Sequence, residues 1–208
     1  MKNTSKIVCI LLILTLCFAQ TALAAGVVNL SDDERYTMNL FLSNFTEVGG
    51  DIAFTSGDAA LVDFAHDHLW FNDYDSFEHG EYPNGANARI SDDYIQEIID
   101  HYFEQAPQVD LSQSRFDYDG EYYYHTETGG GANGGFALTL GAYATGENRY
   151  YVSVLTFGED NSWDNGDLKL NFADAEMQFG APTHGGHAWI TASDLSDRST
   201  YRMISFSY

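Results

Sequence analysis

Two kinds of cluster in this chain carry residue types that could do chemistry. The first is an oxygen-rich loop of Asp160, Asp164, Asn165 and Asp167. Calcium, a hard cation, takes about six to eight such oxygens. The loop departs from the EF-hand pattern, because Asn165 stands at the sixth position counted from Asp160, where glycine is required, and Asn171 at the twelfth, where glutamate is required. A calcium site on Asp160, Asp164 and Asp167 and a plain turn between strands both remain open. The second kind is histidine. His66-Asp67-His68 offers two imidazoles and a carboxylate. On a helix, residues two apart diverge by about 160° around the axis, and the i+4 partner that chelation prefers is Trp70. The pair therefore reads better as flanking a buried apolar stripe. His184 and His187 bracket Gly185-Gly186. They could bind a divalent cation or orient a substrate, or form an exposed turn that titrates near pH ~6.5.

Aromatic residues beside carboxylates suggest a further chemistry, carbohydrate recognition, since flat apolar rings match sugar faces and carboxylates bond hydroxyls. Tyr122, Tyr124, Trp163 and Trp189 are the candidate ligand-binding residues, near Asp117, Asp119, Glu121 and Asp164. Strand alternation puts Tyr122 and Tyr124 on one sheet face and Tyr123 on the other. Plain β-propensity and core filling explain the same residues. Hydrolysis of a glycoside would need two carboxylates about 5 to 9.5 Å apart, a distance that sequence does not give. The chain has no nucleophile elbow, phosphate-binding glycine loop, Walker pattern or zincin motif. No catalytic residue is assigned.

The elements that must position these residues change character midway. Ser31 followed by Asp32, Asp33 and Glu34 predicts a helix start, and Met38, Phe41, Leu42 and Phe45 continue it at helical spacing to about Glu47, before Gly49-Gly50. Thr55 or Ser56 caps a second helix over Gly57 to Asn72, with Leu61, Val62, Ala65 and Leu69 on one face. Ser91 opens a third, carrying Ile95, Ile98, Ile99, Tyr102 and Phe103, closed by Pro107. Asp73-Tyr74-Asp75 and the run through Pro83-Asn84-Gly85 read as loop. From Phe116 the period becomes two: a hairpin around Asp119-Gly120, then strands over Phe136 to Ala144, Tyr150 to Phe157, Leu168 to Phe179, His187 to Ala192 and Tyr201 to Tyr208, with a tight turn at Asn165-Gly166. The expected fold is α+β: about three N-terminal helices (helical half about 31–106) packed on one face of a C-terminal antiparallel β-meander (strand half about 114–208). By element order alone it is analogous to cone-shaped cystatin-like and nuclear-transport-factor-like folds.

The stretch Met38-Asn39-Leu40-Phe41-Leu42-Ser43-Asn44-Phe45-Thr46-Glu47, with Leu61 to His66, Asn72 and Ser91 to Phe103, resembles a family of uncharacterised secreted proteins and lipoproteins of Gram-positive and gut bacteria. The likeness covers the first half of the mature chain. It implies export and carries no catalytic residue across.

Export is also written in the N-terminus. Lys2 and Lys6 precede an apolar run from Ile7 to Phe18, and Ala22-Leu23-Ala24 precedes Ala25. These are the three parts of a signal peptide, residues 1–24, too short for a membrane span of about 20 apolar residues. Cys17 offers the alternative of a lipid-bearing first residue, although Leu16 stands where lipoprotein signals place a small residue. Cys9 and Cys17 are the only cysteines and leave with the signal, so disulfides, thiolate nucleophiles and cysteine-ligated zinc are excluded from a single acidic domain, 25–208. The formal charge is −22, and removing Lys2 and Lys6 makes it more negative. Such a surface repels phosphate backbones and anionic lipids, which argues against nucleic acid and, after signal cleavage, membrane insertion.

The sequence thus points to a secreted or cell-envelope non-catalytic interaction domain binding an extracellular protein or carbohydrate. A secreted hydrolase or binding module for polysaccharide and a calcium-binding extracellular protein are the alternatives, and calcium is the one cofactor raised. The exported protein should begin at Ala25, which intact-mass spectrometry reads directly. A lipid-modified Cys17 would overturn that cleavage site.

Overall fold

A computed structural model describes residues 26–48, 57–104, 109–126, 134–158 and 163–208. The predicted signal peptide, Asp160, Thr55, Ser56 and Pro107 lie outside the described residues. Helix α1 spans Asp32–Glu47. Ser31 caps it reciprocally with Glu34: the Glu34 amide donates to Ser31 Oγ (3.3 Å) and the Ser31 amide to Glu34 Oε2 (2.8 Å). Helix α2 spans Asp58–Asn72 and starts from Gly57, whose φ of 89° suits glycine. Helix α3 spans Asp92–Tyr102. Ser91 occupies its N-cap position without a side-chain bond, and the Asp92 amide donates instead to the Glu121 carbonyl (3.0 Å).

The main sheet is antiparallel, in the order β1 (Gly26–Val28), β6 (Phe136–Gly146), β7 (Arg149–Phe157), β8 (His184–Thr191) and β9 (Arg202–Ser207). A second antiparallel sheet takes the order β2 (Glu78–His79), β3 (Ala88–Ser91), β5 (Tyr122–His125) and β4 (Asp117–Tyr118). Three expectations are corrected here. The 73–85 segment is not all loop, because Glu78–His79 forms β2 against Arg89 and Ala88 of β3, and β3, with Ala88 and Ile90 buried on one side, is a strand whose brevity hid its alternation. The Asp119-Gly120 hairpin forms, with Gly120 at φ 104°, but it pairs with β3 instead of joining the meander.

The third correction concerns Leu168 to Phe179, which is not a strand. Asp167–Lys169 is a short 3₁₀ turn and Phe172–Phe179 is helix α4. Asn171 caps α4 by accepting from the Asp174 amide (3.0 Å), and Gly180 ends it at φ 83°. Asn165-Gly166 therefore leads into a helical excursion between β7 and β8, where a hairpin was expected.

Helix α1 lies along the edge of β6 and touches both faces of the sheet. Met38, Phe41, Leu42 and Phe45 enter the main core with α2, α3 and inward residues such as Val152, Ala188, Ile190 and Phe206. Tyr36 and Leu40 reach a second cluster on the opposite face, where Leu168, Ala175, Trp163 and Phe179 of the excursion cover Phe136, Leu138, Leu155 and Phe157. Between these two apolar sides runs a polar stripe. Strand β1 pairs only with residues 142–144 of β6. Further along β6, Asn39 Oδ1 accepts from the Thr139 amide (2.7 Å), Ser43 Oγ from the Ala137 amide (2.9 Å), Arg35 donates to the Thr139 carbonyl (2.8 Å) and Thr46 donates to the Gly135 carbonyl (2.6 Å). Asn39 also donates to the Leu168 carbonyl (2.9 Å), tying the excursion to the same helix. The helix end comes so close to β6 that a Cβ on Gly134 would stand 2.2 Å from the Glu47 carbonyl oxygen.

A buried amide left without a partner costs about 1–3 kcal/mol. Asn39→Ala should therefore lower unfolding stability by roughly 2–3 kcal/mol in urea titrations, against less than about 0.5 kcal/mol for a surface control such as Ser112→Ala. Equal losses in the two variants would show that the β6 edge does not depend on α1.

Candidate functional site

The fold separates the aromatic candidates into three places. Tyr122 and Tyr124 lie together on the outer face of the small sheet, while Tyr123 is fully buried between them. Their rings are occupied by their own chain. The Arg89 guanidinium sits 3.9 Å from the Tyr122 ring centre and 5.0 Å from that of Tyr82, and it pairs with Glu78 at 2.6 Å. Tyr124 donates to Asp119 Oδ2 (2.6 Å), and this hydrogen bond holds the Asp119 carboxyl below its usual range. Trp163 belongs to the second apolar cluster, its ring 5.4 Å from Phe136 and its Nε1 donating to the Gly134 carbonyl (3.4 Å). In both places the rings serve folding.

The carboxylates of the candidate calcium loop are likewise engaged. Asp164 Oδ1 accepts from the Gly166 amide (2.6 Å), Asp167 Oδ2 from the Asp164 amide (2.8 Å) and Asp167 Oδ1 from Gln178 (3.0 Å). Among the described residues no three His, Cys, Asp or Glu are grouped to hold a metal ion.

Trp189 stands elsewhere, on the face of the main sheet that the excursion leaves open. Strand register places Tyr143 opposite Tyr151, Tyr151 opposite Trp189 and Trp189 opposite Ser205, so the four form one row across β6, β7, β8 and β9. Their neighbours along the strands, Ala142, Val152, Ala188, Ile190 and Phe206, are buried on the other face. Ring centres are 6.2 Å apart for Tyr143 and Tyr151 and 5.3 Å apart for Tyr151 and Trp189. The Tyr151 and Trp189 planes meet at 63°, which makes a wall and floor. The adjacent row holds Gly141, Ser153, His187 and Ser207 in register, with His187 5.6 Å from Tyr151 and Ser207 Oγ 3.1 Å from His187 Nε2. Trp189 keeps 37% of its surface exposed. Strands β6 to β9 contain no Asp or Glu, although the chain holds 31 of them. Sequence reasoning named Trp189 and His187 and did not name Tyr143 or Tyr151, which share the Trp189 row. The run of strands without a carboxylate was the signal that could have found them.

Of the remaining histidines, His66 and His68 are buried and His125 is half-buried, while His79 and His184 are exposed. His66 is fully buried, stacked on Phe116 (3.5 Å between ring centres) and facing His125 (5.2 Å), which in turn stacks on Trp70 (3.8 Å). Among the described residues, both ring nitrogens of His66 and Nδ1 of His125 have no hydrogen-bond partner. Burial pushes His66 down, against the pull of Asp67. His125 is pushed down to about 4 by burial and by His66. His68, packed between Phe64 and Tyr102 and 3.2 Å from Asn72 Nδ2, also falls to about 4, through burial and then the charges of His101 and Arg198. Asn72 also reaches Glu47 (3.4 Å), whose carboxyl is raised by burial.

Comparison with known proteins finds no family model, no curated protein and no solved structure that matches this chain. The reading of the site rests on its geometry.

The buried imidazoles give a prediction with a definite sign. Each is held neutral in the folded chain, while the unfolded chain takes up protons near pH ~6.5. For His68 and His125 the stabilising contribution is complete above that pH, declines as pH falls from about 6.5 to about 4 and is lost below that, and the contribution of His66 declines in the same direction. The melting temperature should drop by roughly 5 °C or more between pH 7 and pH 4.5, and the drop should shrink in His66→Phe, which keeps a flat ring in the stack. A pH response unchanged in that variant would show that His66 does not contribute.

Proposed function

We propose that this protein is a secreted or cell-envelope binding domain without catalytic activity, and that its contact surface is the open face of the main sheet. One observation carries the reading: the uncovered half of that face presents Tyr143, Tyr151 and Trp189 in a row, beside His187 and serines, on strands that hold no carboxylate. Elsewhere the aromatic candidates are closed by Arg89 or by the second apolar cluster. A row of one exposed and two half-buried aromatic rings, Trp189 with Tyr143 and Tyr151, on an otherwise strongly acidic chain is the feature that folding does not require.

A second reading, hydrolysis of polysaccharide, is favoured by Glu47, a carboxyl raised by burial and bonded to Asn72 beside His68. Such a reaction would need a second carboxylate across a cleft, and the open face supplies none.

The two readings separate in one experiment. The double variant Trp189→Ala, Tyr151→Ala should lose retention on the extracellular material that the wild-type protein binds, while its melting temperature stays within about 4 °C because the site is at the surface. No new reducing ends should appear during binding. Their release by wild type and loss in Glu47→Gln would replace binding with hydrolysis.

A further inference from the structure

Resting on the reading of the open face as the contact surface, we infer that its ligand is a neutral polysaccharide, an extended chain of uncharged pyranose rings laid along the row from Tyr143 to Ser205. Three observations select that chemistry. The first is charge. Strands β6 to β9 carry no Asp or Glu, and their only charged side chains are Arg149 and Arg202 near one end. Arg149 is paired with Glu104 (3.1 Å), and Arg202 donates to the carbonyls of Ser199 and Tyr201 (2.7 Å each). A basic protein partner would gain most from the carboxylates that cover the rest of the molecule and would find none on these strands themselves, while Glu104 beside them is already paired with Arg149. A polyanion would be repelled by the net charge of −22. A neutral ligand is indifferent to both.

The second observation is shape. Successive rings in the row stand 6.2 and 5.3 Å apart, set by the spacing of neighbouring strands. That repeat is comparable to the advance per ring of an extended β-linked chain, so consecutive sugars can meet consecutive aromatic side chains. The 63° angle between Tyr151 and Trp189 gives a sugar ring a floor for its apolar face and a wall at its edge.

The third observation is the polar rim. Ser153, His187 and Ser207 follow one another across the adjacent row, with Ser205 at the end of the aromatic row. Hydroxyl and imidazole groups both donate and accept hydrogen bonds, which matches the hydroxyls along the edge of a sugar chain. An apolar peptide would leave these groups unpaired.

The test uses the mature chain in native gels cast with soluble neutral polysaccharides (a mixed-linkage β-glucan, a xylan, a galactomannan) and with carboxymethylated cellulose as the anionic counterpart, followed by calorimetry with oligosaccharides of the best polymer. Expected is retardation by at least one neutral polymer and not by the anionic one, unchanged by 0.5 M sodium chloride, because stacking and neutral hydrogen bonds are little screened. Trp189→Ala should weaken binding by about tenfold or more, Tyr151→Ala and Tyr143→Ala by less, and Trp189→Phe should retain part of it. Stronger retardation by the anionic polymer, or binding abolished by salt, would overturn the neutral-ligand assignment. If no neutral polymer binds while the Trp189, Tyr151 double variant still loses retention on a protein, the assignment to polysaccharide falls and the contact surface stands. If that variant loses nothing on any material, both fall.

Discussion

The structure depends on how the free edge of β6 is satisfied. A strand edge is a row of amides and carbonyls that must find partners when buried. Strand β1 supplies them for residues 142–144 only. For the rest, α1 takes the place of a strand, presenting Arg35, Asn39, Ser43 and Thr46 at spacings of four, four and three residues, close to one face of a helix. Because these contacts hold the helix at the edge, its flanking apolar residues reach both sides of the sheet. A helix lying flat on one face could not do this.

Much of the remaining arrangement follows. The main core forms where α1, α2 and α3 meet the inner face, with Phe45 stacked on Phe64 at 4.7 Å and Phe41 against Tyr201 at 5.2 Å. The outer face is closed only as far as the excursion between β7 and β8 reaches, and Asn39 anchors that excursion through the Leu168 carbonyl. Beyond Leu138 and Leu155 the outward residues become Gly141 and Ser153, then Tyr143 and Tyr151. The boundary between covered and open sheet is therefore fixed by the same helix.

The three long helices were legible because their starts and periods agree: Ser31 with Glu34, and the buried sets on α1, α2 and α3 fall at the expected positions. Helix α4 was not legible, since Leu168-Lys169-Leu170-Asn171-Phe172 alternates like a strand and the deciding Asn171 cap is a single hydrogen bond. Strands β2 and β3 were hidden by their length among Gly, Pro and Asn. Alternation correctly put Tyr122 and Tyr124 on one face, but nothing local announces that Arg89, from another strand, covers the Tyr122 ring. Which outward aromatics stay open is a property of what packs over them, and that is decided by long-range contacts.

The polar stripe on α1 also has a kinetic side. Asn39 and Thr139 are 100 residues apart in the chain, and Asn39 and Leu168 are 129 apart. Closing such loops is slow, so during folding the β6 edge waits for its partner with its amides unpaired. Strand β6 carries none of the charged residues that commonly guard an exposed edge against pairing with another molecule. The protection comes from elsewhere in the chain: with a net charge of −22, two incompletely folded copies repel each other before their edges can meet. The acidity that surrounds the carboxylate-free strands in the finished protein thus guards the nascent sheet while those strands are being paired.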